Sequence, residues 1–169
     1  MRLRHYTPAD EAACLAIFDS NTPEYFARHE RAEYQDFLAH QGNRPYFVVE
    51  DADGTVVAAG GYLRAAGGAE AWLTWGMVAR HRHRQGLGRF LLAARLERLC
   101  RELSASGGSL NVRLDTSQHT WPFFAREGFT TERITENGYA PGYDRYDMVL
   151  RLDATRCRSI RARAGQPGQ

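Results

Sequence analysis

The sequence predicts an α/β (α+β) fold: one mixed, mostly antiparallel sheet of about six or seven strands with helices on both faces. Three observations predict it. Strand-like alternation and helical periodicity interleave, in the order strand, two helices, three strands, helix, strand, helix, strands. The three central strands are joined by short turns, which makes them antiparallel neighbours. The chain has 169 residues, 43% of them apolar and 25% charged, enough to bury a core.

The elements follow in order. Met1 to Tyr6 alternates as a short strand. Thr7-Pro8-Ala9-Asp10 is a helix start, with Thr7 as N-cap and Pro8 in the first turn, and apolar spacing continues to about Asn21. Thr22-Pro23-Glu24 repeats the signal and predicts a second helical region, broken near Glu30 and ending near Gln41-Gly42. Tyr46–Glu50 and Thr55 to Leu63 form a hairpin across the turn Asp51 to Gly54. A Gly-rich turn, Ala65 to Ala69, leads to a strand from Glu70 to Val78. From Leu87 the apolar face Leu87, Leu91, Leu92, Leu96, Leu99 and Leu103 predicts a long helix, with Arg89, Arg95, Arg98 and Glu102 opposite, stopped at Ser106-Gly107-Gly108. Ser109 to Asp115 alternates as a strand. Thr116 or Ser117 caps a short helix that Gly128 ends. Phe129 to Ile134 and Tyr143 to Leu152 are the last strands. The Arg-rich segment 153–169 predicts a frayed tail after a single domain of residues 1–152.

Composition narrows the function classes. No run reaches the roughly 20 apolar residues of a membrane span, and the N-terminus lacks the apolar stretch of a signal peptide, so a cytoplasmic protein with no membrane partner is expected. The net charge of +2 is too small to imply a nucleic-acid partner, despite Arg80 to Arg84 reading Arg-His-Arg-His-Arg. All basic residues other than His are arginine, the mark of a GC-rich bacterial coding bias. Cys14 and Cys100 lie in apolar helical patterns, Cys157 lies in the polar tail, and no disulfide is expected in a reducing compartment. No Cys or His spacing suits a metal.

The chemistry concentrates after Met77-Val78, where a strand ends and His83-Arg84-Gln85-Gly86-Leu87-Gly88-Arg89 leads into the long helix. The first N–H groups of a helix lack intrahelical partners, and the helix dipole there favours anions. Glycine at 86 and 88 permits close approach and a left-handed turn, so successive N–H groups can form a concave nest for a phosphate. Arg84 and Arg89 would add charge at its rim. A P-loop would need lysine, and a dinucleotide fingerprint would need glycine where Leu91 stands.

This segment resembles the pyrophosphate loop of the GNAT (Gcn5-related) N-acetyltransferases, whose pattern is Gln/Arg-x-x-Gly-x-Gly/Ala; His83 stands where Arg or Gln is usual. Trp121 to Phe129 resembles that family's later signature, Ala-x-x-Phe-Tyr-x-x-x-Gly-Phe. The resemblance implies a GNAT-like acyl-CoA N-acyltransferase fold in which strands four and five splay to admit acetyl-CoA as co-substrate. Backbone groups of Met77 and Val78 would hold the pantetheine arm, the loop from His83 to Arg89 the pyrophosphate, and Ser117 and Phe124 would sit near the thiol end. An amine acceptor, of a small molecule or peptide, would attack the thioester directly, with the Val78 N–H as oxyanion donor.

Acid and base are less marked. Phe124 occupies the position where the family often has a Tyr proton donor, so either the thiolate leaves unassisted or another group such as Tyr143 or Tyr139 serves. Glu70, His119 and Glu24 are the candidate bases. Trp72 and Trp75 should divide between core and pocket wall, because strand neighbours face opposite ways. The alternatives are a non-catalytic acyl-CoA-binding module of the same fold and, further off, a nucleic-acid binder. Exposed edge strands suggest a homodimer.

Overall fold

The computed structural model describes residues 1–41, 44–64 and 68–164. Seven strands form one sheet in the order β1-β2-β3-β4-β5-β7-β6. They are β1 (Arg2–His5), β2 (Tyr46–Glu50), β3 (Val56–Arg64), β4 (Glu70–Val78), β5 (Leu110–Ser117), β6 (Thr130–Ala140) and β7 (Tyr143–Leu152). All pairings are antiparallel except β4 with β5. The helices are α1 (Glu11–Asn21), α2 (Glu30–Ala39), α3 (Leu87–Ser106), α4 (Trp121–Arg126) and α5 (Ala154–Ala164). The expected mixed, mostly antiparallel sheet with helices on both faces is the observed fold.

Alternation along β2 builds both layers. Tyr46 and Val48 face α1 and α2, packing with Phe18, Tyr34 and Leu38. Phe47 and Val49 face the α3 side, where Leu87, Leu91, Leu92, Leu96 and Leu99 lie. Both sets are fully buried, which accounts for a strand of almost continuous apolar residues.

The N-terminal start holds through Asp10 rather than through Thr7 alone. A 3₁₀ turn, Pro8–Asp10, precedes α1. The Asp10 carboxylate accepts both Arg4 guanidinium N–H groups (2.7 Å each), the Thr7 N–H (2.8 Å) and the Thr7 hydroxyl (2.9 Å). The Arg4 guanidinium holds that carboxyl down at about 2.

Several expectations need correction. The segment opened by Thr22-Pro23 is not helical through Arg28: α2 begins only at Glu30, whose carboxylate accepts the Ala27 N–H (2.7 Å). Long-range contacts of Tyr25 and Pro23, described below, outweigh the local cap signal. The tail is ordered through Ala164 as α5. Asp153 caps it by accepting the Arg156 N–H (2.8 Å), and Cys157 and Ile160 turn an apolar edge to α3. Cys157 forms a disulfide with Cys100, against the expectation of free thiols, and Arg161 donates to the Cys100 carbonyl (3.1 Å). Cys14 is the buried free cysteine. The short helix begins at Trp121, so Thr116 and Ser117 close β5 instead of capping α4. Most of the turn Ala65 to Ala69, Gly42 and residues 165–169 lie outside the described residues.

Arg95 departs furthest from its expected place. Helical spacing put it on the solvent face of α3, yet it is 3% exposed. Leu87, Leu91 and Arg95 form one i, i+4 row, and that row faces the sheet.

Candidate functional site

The site forms where β4 leaves β5. The two strands pair only from Glu70 to Trp72, against Asn111 to Arg113. Beyond Trp72 the ladder stops, and β4 then carries a bulge: Thr74 lies opposite Gly61 and Met77 opposite Ala59, so Trp75 and Gly76 share one partner position. Trp75 takes a left-handed backbone, φ 42°. The bulge also sends Trp75 to the α1/α2 layer, against Phe18, Phe26, Tyr34 and Phe37, on the same face as Trp72. Trp72 remains exposed and walls a hollow of about 320 Å³ with Arg113, Asp115, Arg145 and Asp147. The expectation that the two face opposite ways is overturned: the extra residue of the bulge puts both on one face, Trp75 against the α1/α2 layer and Trp72 at the hollow.

Past the bulge the backbone of Val78 faces the gap. Ala79 N–H donates to the Val57 carbonyl (2.8 Å), and polar groups alternate sides along a strand, so those of Val78 point away from β3. The Val78 carbonyl accepts Asn21 Nδ2 (2.8 Å) and lies 3.0 Å from His83 Nε2, which donates in the tautomer protonated there. Asn21 is 3% exposed and also donates to the Ile17 carbonyl (2.8 Å), so it ties the end of α1 to the end of β4. Nothing local in the sequence ties Asn21 to Val78; its signal was a polar residue closing an apolar helix.

A 3₁₀ turn, Arg80–Arg82, leads from β4 into the glycine loop. Arg84 (φ 61°) and Gly86 (φ 82°) both adopt left-handed backbone, the alternation that turns successive N–H groups toward one point. A Cβ on Gly86 would meet nothing within 4 Å, so the space over the loop is open. A Cβ on Gly88 would stand 3.6 Å from the Phe123 ring and 3.9 Å from Val78, which places Gly88 on the floor between β4 and α4. Phe123 thus borders the loop, while Phe124 packs edge-on against Phe123 and Phe129. Leu87 is buried and anchors the first turn of α3. Arg82 pairs with Asp51 (2.7 Å) and with Gln85 (2.9 Å), bracing the loop from behind. Arg89 pairs with Glu127 (2.8 Å). Among the described residues the exposed Arg84 guanidinium has no partner.

A polyanion with an extended arm suits these features. The nest and Arg84 suit a pyrophosphate, and the unpaired edge of β4 suits an arm carrying amides.

The candidate acid–base residues separate into two groups. His119 and Tyr143 come together with ring centroids 6.4 Å apart, and Tyr25 joins them at 6.2 Å from His119 and 5.4 Å from His83. The Tyr143 hydroxyl donates to the Pro23 carbonyl (2.6 Å), which closes the ring of contacts around the open end of the gap. His119 is exposed and forms no hydrogen bond among the described residues. Ser117 lies just before this group, buried, 3.4 Å from the Thr120 hydroxyl.

Glu70 is not brought here. It starts β4, about 25 Å along the strand from Val78 at ~3.3 Å per residue, and it pairs with Arg113. That pairing holds the Glu70 carboxyl below the usual carboxylate range. Glu24 sits at the rim but pairs with Arg80, which lowers its carboxyl too. A lowered carboxyl is a weaker base. Tyr139 donates to Asp115; burial and that carboxylate push its phenol far above the ordinary value, so it holds its proton. Among the described residues no group of three or more His, Cys, Asp or Glu could hold a metal.

A sequence profile described as the Acetyltransferase (GNAT) family matches residues 14–129. No curated protein matches the chain significantly. Among solved structures, the chain resembles a ribosomal-protein-alanine N-acetyltransferase from Brucella melitensis, with 21% identity, TM-score 0.69, and 90% of this chain and 100% of that one covered. It also resembles a spermidine N-acetyltransferase from Vibrio cholerae (15% identity, TM-score 0.68, 96% and 97% covered) and an aminoglycoside 6'-N-acetyltransferase from Enterococcus faecium (15%, 0.62, 89% and 97%). At these identities the likeness is one of fold.

Proposed function

The chain belongs to the GNAT acetyltransferase family, and from that premise we propose that it is an N-acetyltransferase that moves the acetyl group of acetyl-CoA to an amine of a small molecule or peptide. The observation that carries the reading is the gap between β4 and β5, which runs from the free edge of Val78 into the left-handed loop at Arg84 and Gly86. Family membership carries acetyl-CoA-dependent acyl transfer in general; the assignments below are specific to this chain.

Acetyl-CoA supplies an activated acyl carbonyl. The N–H groups of the loop from His83 to Arg89 hold its pyrophosphate, with Arg84 as the charged rim. The free edge of β4 at Val78 holds its arm, since the Met77 N–H and carbonyl are turned to Ala59 on β3, and the Val78 N–H faces the charge that builds on the carbonyl oxygen. Asn21 and His83 keep that peptide group oriented by holding its neighbouring carbonyl. His119 takes the proton from the incoming amine, since the two candidate carboxylates are engaged with arginines and lowered. Tyr143 stands beside His119; its one O–H is held by the Pro23 carbonyl, and release of that bond would let it protonate the departing sulfur, a part that Phe124 has no proton to play. The amine enters past Tyr25 and the 22–29 segment.

The test is calorimetric titration of acetyl-CoA, followed by a screen of amines that reads the release of free CoA thiol. Micromolar binding with turnover by some amine supports the reading. His119→Ala should then cut kcat by about 10²-fold with KM for acetyl-CoA unchanged. Binding without turnover by any amine would favour a CoA-binding module; no binding at millimolar ligand would end the donor-site assignment.

A further inference from the structure

Arg95 is a buried guanidinium with no carboxylate beside it among the described residues, and nothing in the reaction outlined above uses it. Arginine is rarely this buried unless paired, because its charge loses the hydration of water. Among the described residues Arg95 has no ion-pair partner. Its hydrogen bonds are long ones to carbonyls, Nε to Leu91 (3.3 Å) and Nη1 to Gly61 (3.4 Å).

What surrounds it is a window of glycines. A Cβ on Gly76 would lie 2.9 Å from Arg95 Nη1, and one on Gly60 3.1 Å from the same atom. Gly60 and Gly76 are the residues facing each other across the β4 bulge. On the opposite face of the sheet, the buried Tyr46 hydroxyl donates to the Trp75 carbonyl (3.1 Å) and shares a hydrogen bond with Tyr34 (2.8 Å). The bulge is therefore gripped from both faces at the point where β4 parts from β5. A non-glycine residue in left-handed backbone is strained and persists where its surroundings enforce it. Burial brings Arg95 down to about 10, so it keeps its charge at neutral pH.

Resting on the donor-site reading above, we propose that Arg95 is a positioning residue of the acetyl-CoA cleft: its buried guanidinium props the β4 bulge that opens the cleft and lays positive charge behind the Gly76–Val78 backbone that faces the donor. Among the described residues no anion faces this charge. The electron-rich acyl and pantetheine carbonyls in the cleft are its complement.

The experiment measures acetyl-CoA affinity by calorimetry for the full chain, R95M and R95K, with thermal melts alongside. R95M removes the charge at similar volume and should bind about tenfold or more weakly, equivalent to ~1.4 kcal/mol. R95K keeps the charge and should stay within about threefold of wild type. A purely structural arginine would lower the melting temperature in both variants and leave the affinity of the folded protein unchanged; that result overturns the proposal. Should R95M fail to fold, G76A is read instead, since its Cβ displaces the guanidinium while the charge remains. Weakened binding supports the proposal and wild-type affinity overturns it. If the wild-type chain itself does not bind acetyl-CoA, the donor site falls and this proposal with it; binding that R95M retains removes this proposal alone.

Discussion

Replacing Asn21 by alanine tests whether the end of β4 is held from α1. The side chain donates to two buried carbonyls, Ile17 and Val78, at 2.8 Å each. A buried neutral hydrogen bond contributes about 1 kcal/mol net, so the pair is worth roughly 2 kcal/mol. The Ile17 carbonyl also accepts the Ser20 hydroxyl (2.7 Å), and the Val78 carbonyl keeps His83, so neither is orphaned and the loss should not greatly exceed that sum. For a chain of this size the urea dependence is about 2 kcal/mol per M, so the unfolding midpoint should fall by ~1 M. Asn21→Asp should cost more, because a carboxylate would face two carbonyls with no proton to offer. His83→Ala shares the Val78 carbonyl with Asn21, and the two substitutions together should cost more than their sum, by about 0.5–1 kcal/mol. A midpoint for Asn21→Ala within about 0.2 M of wild type, or strict additivity with His83→Ala, would refute the argument that these two side chains jointly fix Val78.

Three further outcomes are expected. Asp10 is held at about 2 in the folded chain against 3.8 ordinarily, so its roughly 2 kcal/mol of stability is fully present above pH ~4 and lost as pH falls toward 2; Asp10→Asn should flatten that limb of the stability–pH curve, and an unchanged limb would count against the Arg4 pair. Reduction of Cys100–Cys157, which closes a loop with a sequence separation of 57, should lower unfolding stability by up to about 4 kcal/mol while leaving acetyl-CoA affinity unchanged, and three titratable thiols in the unreduced, denatured chain would show that the bond is not formed. Arg84→Ala should weaken acetyl-CoA about five- to tenfold, whereas Arg89→Ala, already paired with Glu127, should change it by about twofold or less; equal effects in calorimetry would mean that Arg84 does not meet the phosphates.

Local patterns carried much of the fold and part of the site. Period-2 alternation from Tyr46, Thr55 and Glu70, the 3.6-residue spacing from Leu87, and the stop at Gly107 each depend on residues close in sequence, and the observed β2, β3, β4 and α3 follow them within a few residues. The glycine loop is legible for the same reason, because a left-handed turn at Gly86 and a free helix start are local properties. His119 and Tyr143 could be named as candidates by residue type, but nothing local says that they meet, or that Glu70 is carried to the far end of β4.

Tertiary structure decided what depends on partners distant in the chain. Thr22-Pro23 carries a sound cap signal, yet Tyr25 is drawn to His83 and His119, and Tyr143 to Pro23, so no helix forms there. The Arg-rich tail reads as solvated by composition, and becomes α5 because Cys157 and Ile160 find α3. Arg95 reads as a surface charge on an amphipathic helix, and is buried because two glycines, Gly60 on β3 and Gly76 on β4, leave room for it. Sequence determined the periodicities, the glycine loop and the chemistry available, since these follow from each residue and its near neighbours. The bulge, the gap it opens and the set of side chains around it are set by packing between elements, whose energies no single stretch of the chain contains.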